Sequence, residues 1–172
     1  MMKKHGPLLC VLFFLFTIIL AACGNNEALP EGIPSVPSSR IMDLSEVFAP
    51  EEKTMLAQVI DHYESTVGGQ ICVLTVKSTD GIPIKEYTMQ ILKKWKIGEV
   101  NKNDGVMITL AIADKCSRID VGLGLEDVLT DPLCEGLLRG IVPELRAGDY
   151  AGACAKLIEG METIRMEAQT AQ

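Results

Sequence analysis

The chain has 172 residues, with 16 Lys+Arg against 23 Asp+Glu, a net charge of −7, and 48% hydrophobic but only 5% aromatic residues. That length suits one domain. The acidic balance excludes a nucleic-acid binder, which needs a basic face to neutralise phosphates, and the dispersed apolar positions exclude wholesale disorder.

Lys3 and Lys4 precede an apolar run, LLCVLFFLFTIIL, that ends at Leu20. The run is short for a transmembrane helix, and small residues follow it as in a signal peptide. Leu20-Ala21-Ala22-Cys23-Gly24 then resembles the lipobox of a bacterial lipoprotein. In such a protein the Cys thiol takes a diacylglycerol and cleavage leaves that Cys as the first residue. Residues 1–22 therefore read as a signal peptide and Cys23 as the lipidation site. Removing the leader takes away two lysines and no acids, so the mature body is more acidic than the whole chain. Anionic headgroups should repel such a body, leaving the acyl chains, and not the protein surface, to hold it at the membrane. The expected location is the cell membrane or outer membrane, facing the periplasm or the exterior.

Gly24 to Arg40, GNNEALPEGIPSVPSSR, is rich in Pro, Gly and Ser without apolar periodicity. With Cys23 it reads as a flexible tether over 23–40, spanning on the order of 23 Å as a coil. A domain over 41–168 follows. Pro50-Glu51-Glu52 opens a helix with Leu56, Val59, Ile60 and Tyr63 on one face, and Gly68-Gly69 stops it. QICVLTV, Gln70 to Val76, predicts a buried strand. A second helix carries Ile84, Tyr87, Ile91 and Trp95 inward, with Lys93, Lys94 and Lys96 at its C-terminal end. Val106 to Ala113 predicts a strand after the Asn103-Asp104-Gly105 turn, and Arg118-Ile119-Asp120-Val121 alternates as a half-exposed edge strand. Asp131-Pro132 predicts a third helix with the acid as N-cap and Leu133, Leu137, Leu138 and Ile141 inward, kinked or ended by Pro143. Asp149 caps a last helix.

A right-handed crossover makes the first two strands parallel, and the short turn makes the last two antiparallel. The fold class is α/β: a small mixed sheet, a parallel βαβ unit plus an antiparallel hairpin, with helices on both faces.

Beyond the leader and the anchor lie Cys72, Cys116, Cys134 and Cys154. They have neither CxxC spacing nor a neighbouring His, which argues against zinc and thioredoxin chemistry and favours buried small hydrophobes over disulfides. His62 lies inside the first helix and reads as an ordinary helix residue. No GxSxG, P-loop or HExxH occurs, and Gly122-Leu123-Gly124-Leu125 lacks the third glycine and helix start of a phosphate loop. The carboxylates say more. An antiparallel hairpin brings Asp104 beside the end of the last strand, near Glu126, with Asp131 a few residues beyond. Those oxygens could hold Ca²⁺ or Mg²⁺ on one edge of the sheet, or Asp104 and Asp131 could simply serve a turn and a helix start.

Residues 41–165 resemble the TPM domain of thylakoid-lumen and bacterial envelope proteins, often labelled a phosphatase. The resemblance rests on Met42-Asp43, Gly69-Gln70-Ile71-Cys72-Val73, Trp95-Lys96-Ile97-Gly98, Asn103-Asp104-Gly105-Val106, the run from Arg118 to Glu126, Leu129-Thr130-Asp131, and Pro143 with Gly148-Asp149-Tyr150. It implies a three-layer α/β/α sandwich and divalent-metal binding by acidic residues. Asp104 and Asp131 fall on matching positions. Asp43 matches too, although it reaches that edge only if residues 44–48 cross over. Lys96 and Asp127 depart from the commoner pattern. Two functions stay open: a lipid-anchored accessory or assembly module that binds an envelope protein partner, and a metal-dependent phosphomonoester hydrolase.

Overall fold

The computed structural model describes residues 29–171. The leader, Cys23, Cys10 and the first five tether residues lie outside them. The elements are β1 (Ile41–Asp43), α1 (Pro50–Val67), β2 (Gln70–Val76), α2 (Ile84–Trp95), β3 (Gly105–Ala111), β4 (Cys116–Val121), α3 (Asp131–Gly140), α4 (Val142–Ala147) and α5 (Tyr150–Thr170). The sheet order is β1-β2-β3-β4. β1 to β3 run parallel and β4 returns antiparallel, with Ile41 beside Val73, Val73 beside Ile108, and Ile108 beside Ile119. The mixed sheet and the edge position of β4 agree with the sequence reading; β1, three residues long, is an addition to it.

Side chains alternate across the pleat and build two cores. Ile71, Val73, Val106, Ile108, Leu110 and Ile119 meet α1 and α5 on one face. Cys72, Leu74, Val76 and Met107 meet Tyr87, Ile91 and Trp95 of α2 on the other. This is the three-layer α/β/α sandwich. β1, β2 and β3 advance in one direction while α1 and α2 lie on opposite faces, so the two crossovers have opposite hands, and one departs from the right-handed rule.

Three local expectations change. Residues 29–40 do not stand clear of the domain: Leu29 and Ile33 pack into the α2-side core, and the Trp95 indole donates to the Pro34 carbonyl at 2.8 Å. The apolar side chains among the prolines and serines are enough to seat this segment. At α3 the N-cap is Thr130, in extended conformation, and Asp131 is the first helical residue, where its charge still suits the helix dipole. Pro143 does break the helix, but a further short helix, α4, follows the break. Leu133 is 43% exposed, and Cys134 takes the inward position expected of it. Asp149 caps α5 as expected, accepting from the Gly152 N–H at 2.8 Å.

Candidate functional site

Asp104 sits immediately before β3, at the end of the sheet where Gln70 begins β2. It is only 7% exposed. One carboxylate oxygen accepts from the Glu99 N–H at 2.9 Å, and its carbonyl accepts from the Gln70 N–H at 3.2 Å. The Gln70 amide oxygen in turn accepts from the Gly98 N–H at 2.9 Å. Asp104 therefore closes the loop that follows α2 and pins it to the sheet.

Glycines allow the backbone to close up around that loop. A Cβ on Gly105 would meet the Ile97 carbonyl, and one on Gly124 would meet the Lys102 carbonyl, each closer than the 3.0 Å that real Cβ atoms keep. Gly122 abuts the Asn103 carbonyl in the same way. The Gly122–Leu125 run, which superficially suggests a phosphate loop, is thus a seam where two backbones touch.

Beside the seam lies a shallow depression of about 410 Å³, bordered by Asp104, Lys102, Gly124, Leu125, Gly69 and Arg165. Its two cations are already engaged. Arg165 donates to the Tyr63 hydroxyl at 2.9 Å, the Gly68 carbonyl at 2.6 Å and the Val67 carbonyl at 2.7 Å. Lys102 pairs with Glu99 at 2.9 Å.

The other candidate carboxylates lie on separate segments. Glu126 and Asp131 are exposed on the segment after β4 and at the head of α3. The Asp131 charge is felt at the Cys134 thiol, as are the charges of Arg118 and Asp120. Asp43 stands at the opposite end of the sheet, in register with Thr75 and, through it, with Leu110. Six residues of strand separate that level from Asp104, about 20 Å. There the Asp43 carboxylate accepts from the Thr75 hydroxyl at 2.6 Å and from the Val47 and Phe48 N–H groups at 3.1 Å each, and pairs with Lys53 at 2.9 Å. Residues 44–48 wrap around Asp43 and do not carry it across the sheet.

The donors themselves test the divalent cation that the resemblance implies. Among the described residues no three acidic, histidine or cysteine side chains come together to hold a metal. One buried carboxylate with exposed acids beyond it would leave most of the coordination of a Ca²⁺ or Mg²⁺ ion to water and backbone carbonyls.

Nucleophiles fare no better. All four described cysteines are free thiols. Burial pushes Cys72 and Cys154 up to about 12 and Cys134 up to about 11, which keeps each protonated at neutral pH. His62 is exposed on α1 and lies 3.2 Å from Glu162.

The comparisons with known proteins agree with this architecture. The TPM-domain family matches residues 41–164. The chain belongs to the TPM-domain family. Among solved structures, this TPM domain is similar to the N-terminal domain of a P. gingivalis protein, with TM-score 0.69 and 20% identity over 80% of this chain and 90% of that one. It is also similar to the BA42 protein of Bizionia argentinensis, with TM-score 0.64 and 22% identity over 72% and 85% of the two chains. A third likeness is the N-terminal domain of the cg2496 protein of Corynebacterium glutamicum, with TM-score 0.59 and 19% identity over 79% and 86%. At these identities the likeness is one of fold. No curated protein matches the chain.

One acid in the TPM domain was not singled out from the sequence. Asp120 of β4 is 4% exposed, because the face that alternation assigned to solvent is roofed by α2. One of its oxygens accepts from the Arg118 guanidinium at 2.6 Å. The other has no partner, and neither has the buried Thr109 hydroxyl, its diagonal neighbour across β3 and β4. Burial pushes the Asp120 carboxyl above its ordinary range, while the Thr88 hydroxyl and the Arg118 and Lys85 charges pull the other way. A carboxyl with a raised folded pKa makes stability fall as pH rises from its unfolded value through its folded one. Asp120→Asn should therefore raise stability at pH 7 by about 1 kcal/mol and flatten that fall. Urea titrations at several pH values check this; a less stable variant at pH 7 contradicts it.

Proposed function

We propose that this TPM-domain protein is a lipid-anchored, extracytoplasmic binding module: an accessory of the cell envelope that holds a partner protein and performs no hydrolysis. The observation that carries the reading is the state of the cations around Asp104. Arg165 spends its guanidinium on Tyr63, Val67 and Gly68 and is not set to grip a phosphoryl group. Among the described residues bordering the depression, that leaves a single exposed lysine, Lys102 beside Glu99, with no second cation to form a phosphate clamp. The lipobox-like Leu20-Ala21-Ala22-Cys23 supplies the anchor. No helix among the described residues is long and apolar enough to cross a membrane.

A divalent cation, when bound, would lend positive charge to this acidic edge. Asp104 would hold it, with Glu126 or Asp131 reaching it through water. Binding to the folded state alone would raise stability by about 2.7 kcal/mol at a hundred times the dissociation constant.

One set of measurements tests the whole reading. Cys23→Ser should leave the membrane fraction and lose its acyl label. Wild type should melt higher with Mg²⁺ than with chelator, and Asp104→Asn should melt alike in both. Neither should hydrolyse a phosphomonoester above background. A phosphatase rate that disappears in Asp104→Asn would replace the binding module with the hydrolase. Identical wild-type melts would reduce Asp104 to a loop clasp.

A further inference from the structure

The chain is acidic, yet its charge is unevenly placed. The outer surface of α2 exposes Lys85, Lys93 and Lys94, and Lys96 follows at its C-cap. Glu86 is the only acid on the helix itself. Among the described residues Lys85, Lys94 and Lys96 form no ion pair, whereas on the opposite layer Lys53 is taken by Asp43 and Lys156 by Glu144. Met89, 42% exposed, stands between the lysines, and Val36, 70% exposed, follows the Pro34 carbonyl that caps the Trp95 indole. Glu31 and Asp80 border the N-terminal end of the helix.

The path of the chain singles out the same layer. Leu29 and Ile33 pack into the core that α2 covers, on the α2 side of the sheet. From Cys23 to Leu29 there are six backbone steps, which reach at most about 21 Å in any conformation. An acyl chain on Cys23 would therefore tether the domain from its α2 side.

We propose that the α2 layer is the membrane-facing side of the domain, with Lys85, Lys94 and Lys96 set against anionic phospholipid headgroups. This rests on the anchor reading above. It adds an electrostatic contact to the lipid anchor and reverses, for this one face, the repulsion expected of the acidic body as a whole. Each lysine near an anionic surface favours contact about fivefold, and the gain disappears once salt shortens the screening length. The α1 and α5 layer is then the side that faces outward.

The lipidated protein, reconstituted into vesicles, tests this by the acetylation rate of each lysine read by mass spectrometry. On vesicles containing phosphatidylglycerol, Lys85, Lys94 and Lys96 should react about threefold more slowly than on pure phosphatidylcholine vesicles. Lys53 and Lys156 should react alike on both, and high salt should erase the difference. Lys94→Glu with Lys96→Glu, both at exposed positions, should stay on the vesicles and lose the protection at Lys85. Protein retained on both vesicles with equal rates everywhere overturns the proposal while leaving the anchor standing. Protein that elutes free of both vesicles overturns the anchor reading and this inference with it.

Discussion

Asp43→Ala should destabilise the domain by about 3 kcal/mol, one of the two largest losses expected of a single substitution here. The Asp43 side chain is 2% exposed and ties β1 to β2 through Thr75, to the start of α1 through Lys53, and to the intervening turn through Val47 and Phe48. Alanine would leave a buried hydroxyl and two backbone N–H groups without an acceptor. Burial by itself would raise the Asp43 carboxyl, but the Thr75, Lys53, Val47 and Phe48 hydrogen bonds outweigh it and hold the group below the ordinary carboxylate range. A depressed folded pKa contributes stability above the unfolded value and loses it as pH falls through the folded one. The loss caused by Asp43→Ala should accordingly be full at pH 7 and shrink in acid. Asp43→Asn keeps one acceptor oxygen and should lie between. Urea denaturation at pH 7 and at stepped acid pH measures all three, and an alanine loss below about 1 kcal/mol would show that the network is dispensable.

Gly105→Ala and Gly124→Ala should each cost about 2–4 kcal/mol, although alanine is a milder change than any other at these positions. The added methyl would strike a main-chain carbonyl, Ile97 in one case and Lys102 in the other, and a carbonyl fixed in a loop cannot swing aside as a side chain does. Both substitutions separate the loop that carries Asp104 from its neighbours. The control lies in α3. Gly136 is exposed in the middle of that helix, and a Cβ there meets nothing closer than the Arg139 side chain at 3.9 Å. Gly136→Ala should therefore stabilise by about 0.5–1 kcal/mol. Chemical denaturation of the three variants decides it; equal effects of all three would mean that the seam yields.

Much of the fold was legible before any coordinates. The period of Leu56, Ile60 and Tyr63 gives α1, and the paired glycines end it. The continuous run of Gln70 to Val76 gives a strand buried on both faces. These are local signals: period, cap and breaker act within one element and survive into the fold. β1 was not legible, because Ile41-Met42-Asp43 is too short for a period to register and becomes a strand only when β2 lies beside it. The site was legible in part. Asp104 was found as a turn acid beside the end of the hairpin, and it is that. Whether Asp43 shares that edge was not, since this depends on which end of the sheet each loop returns to.

What the sequence determined by itself is therefore the elements other than β1 and α4, their order, the pairings of β2 with β3 and of β3 with β4, and the basic-apolar-Cys pattern of the leader. All of these follow from the spacing of residue types along the chain. Tertiary structure alone decided which polar groups lose water. Asp120 and Asp43 carry the same carboxyl group, and both look solvent-facing in an alternating or turn context. α2 roofs the first against an unpaired threonine, and the 44–48 turn wraps the second in donors, so burial drives one up and hydrogen bonding holds the other down. The same holds for residues 29–40, whose composition is that of a linker. They are ordered because β1, β2 and α2 leave an apolar surface that Leu29 and Ile33 cover, and no property of the segment alone records that surface.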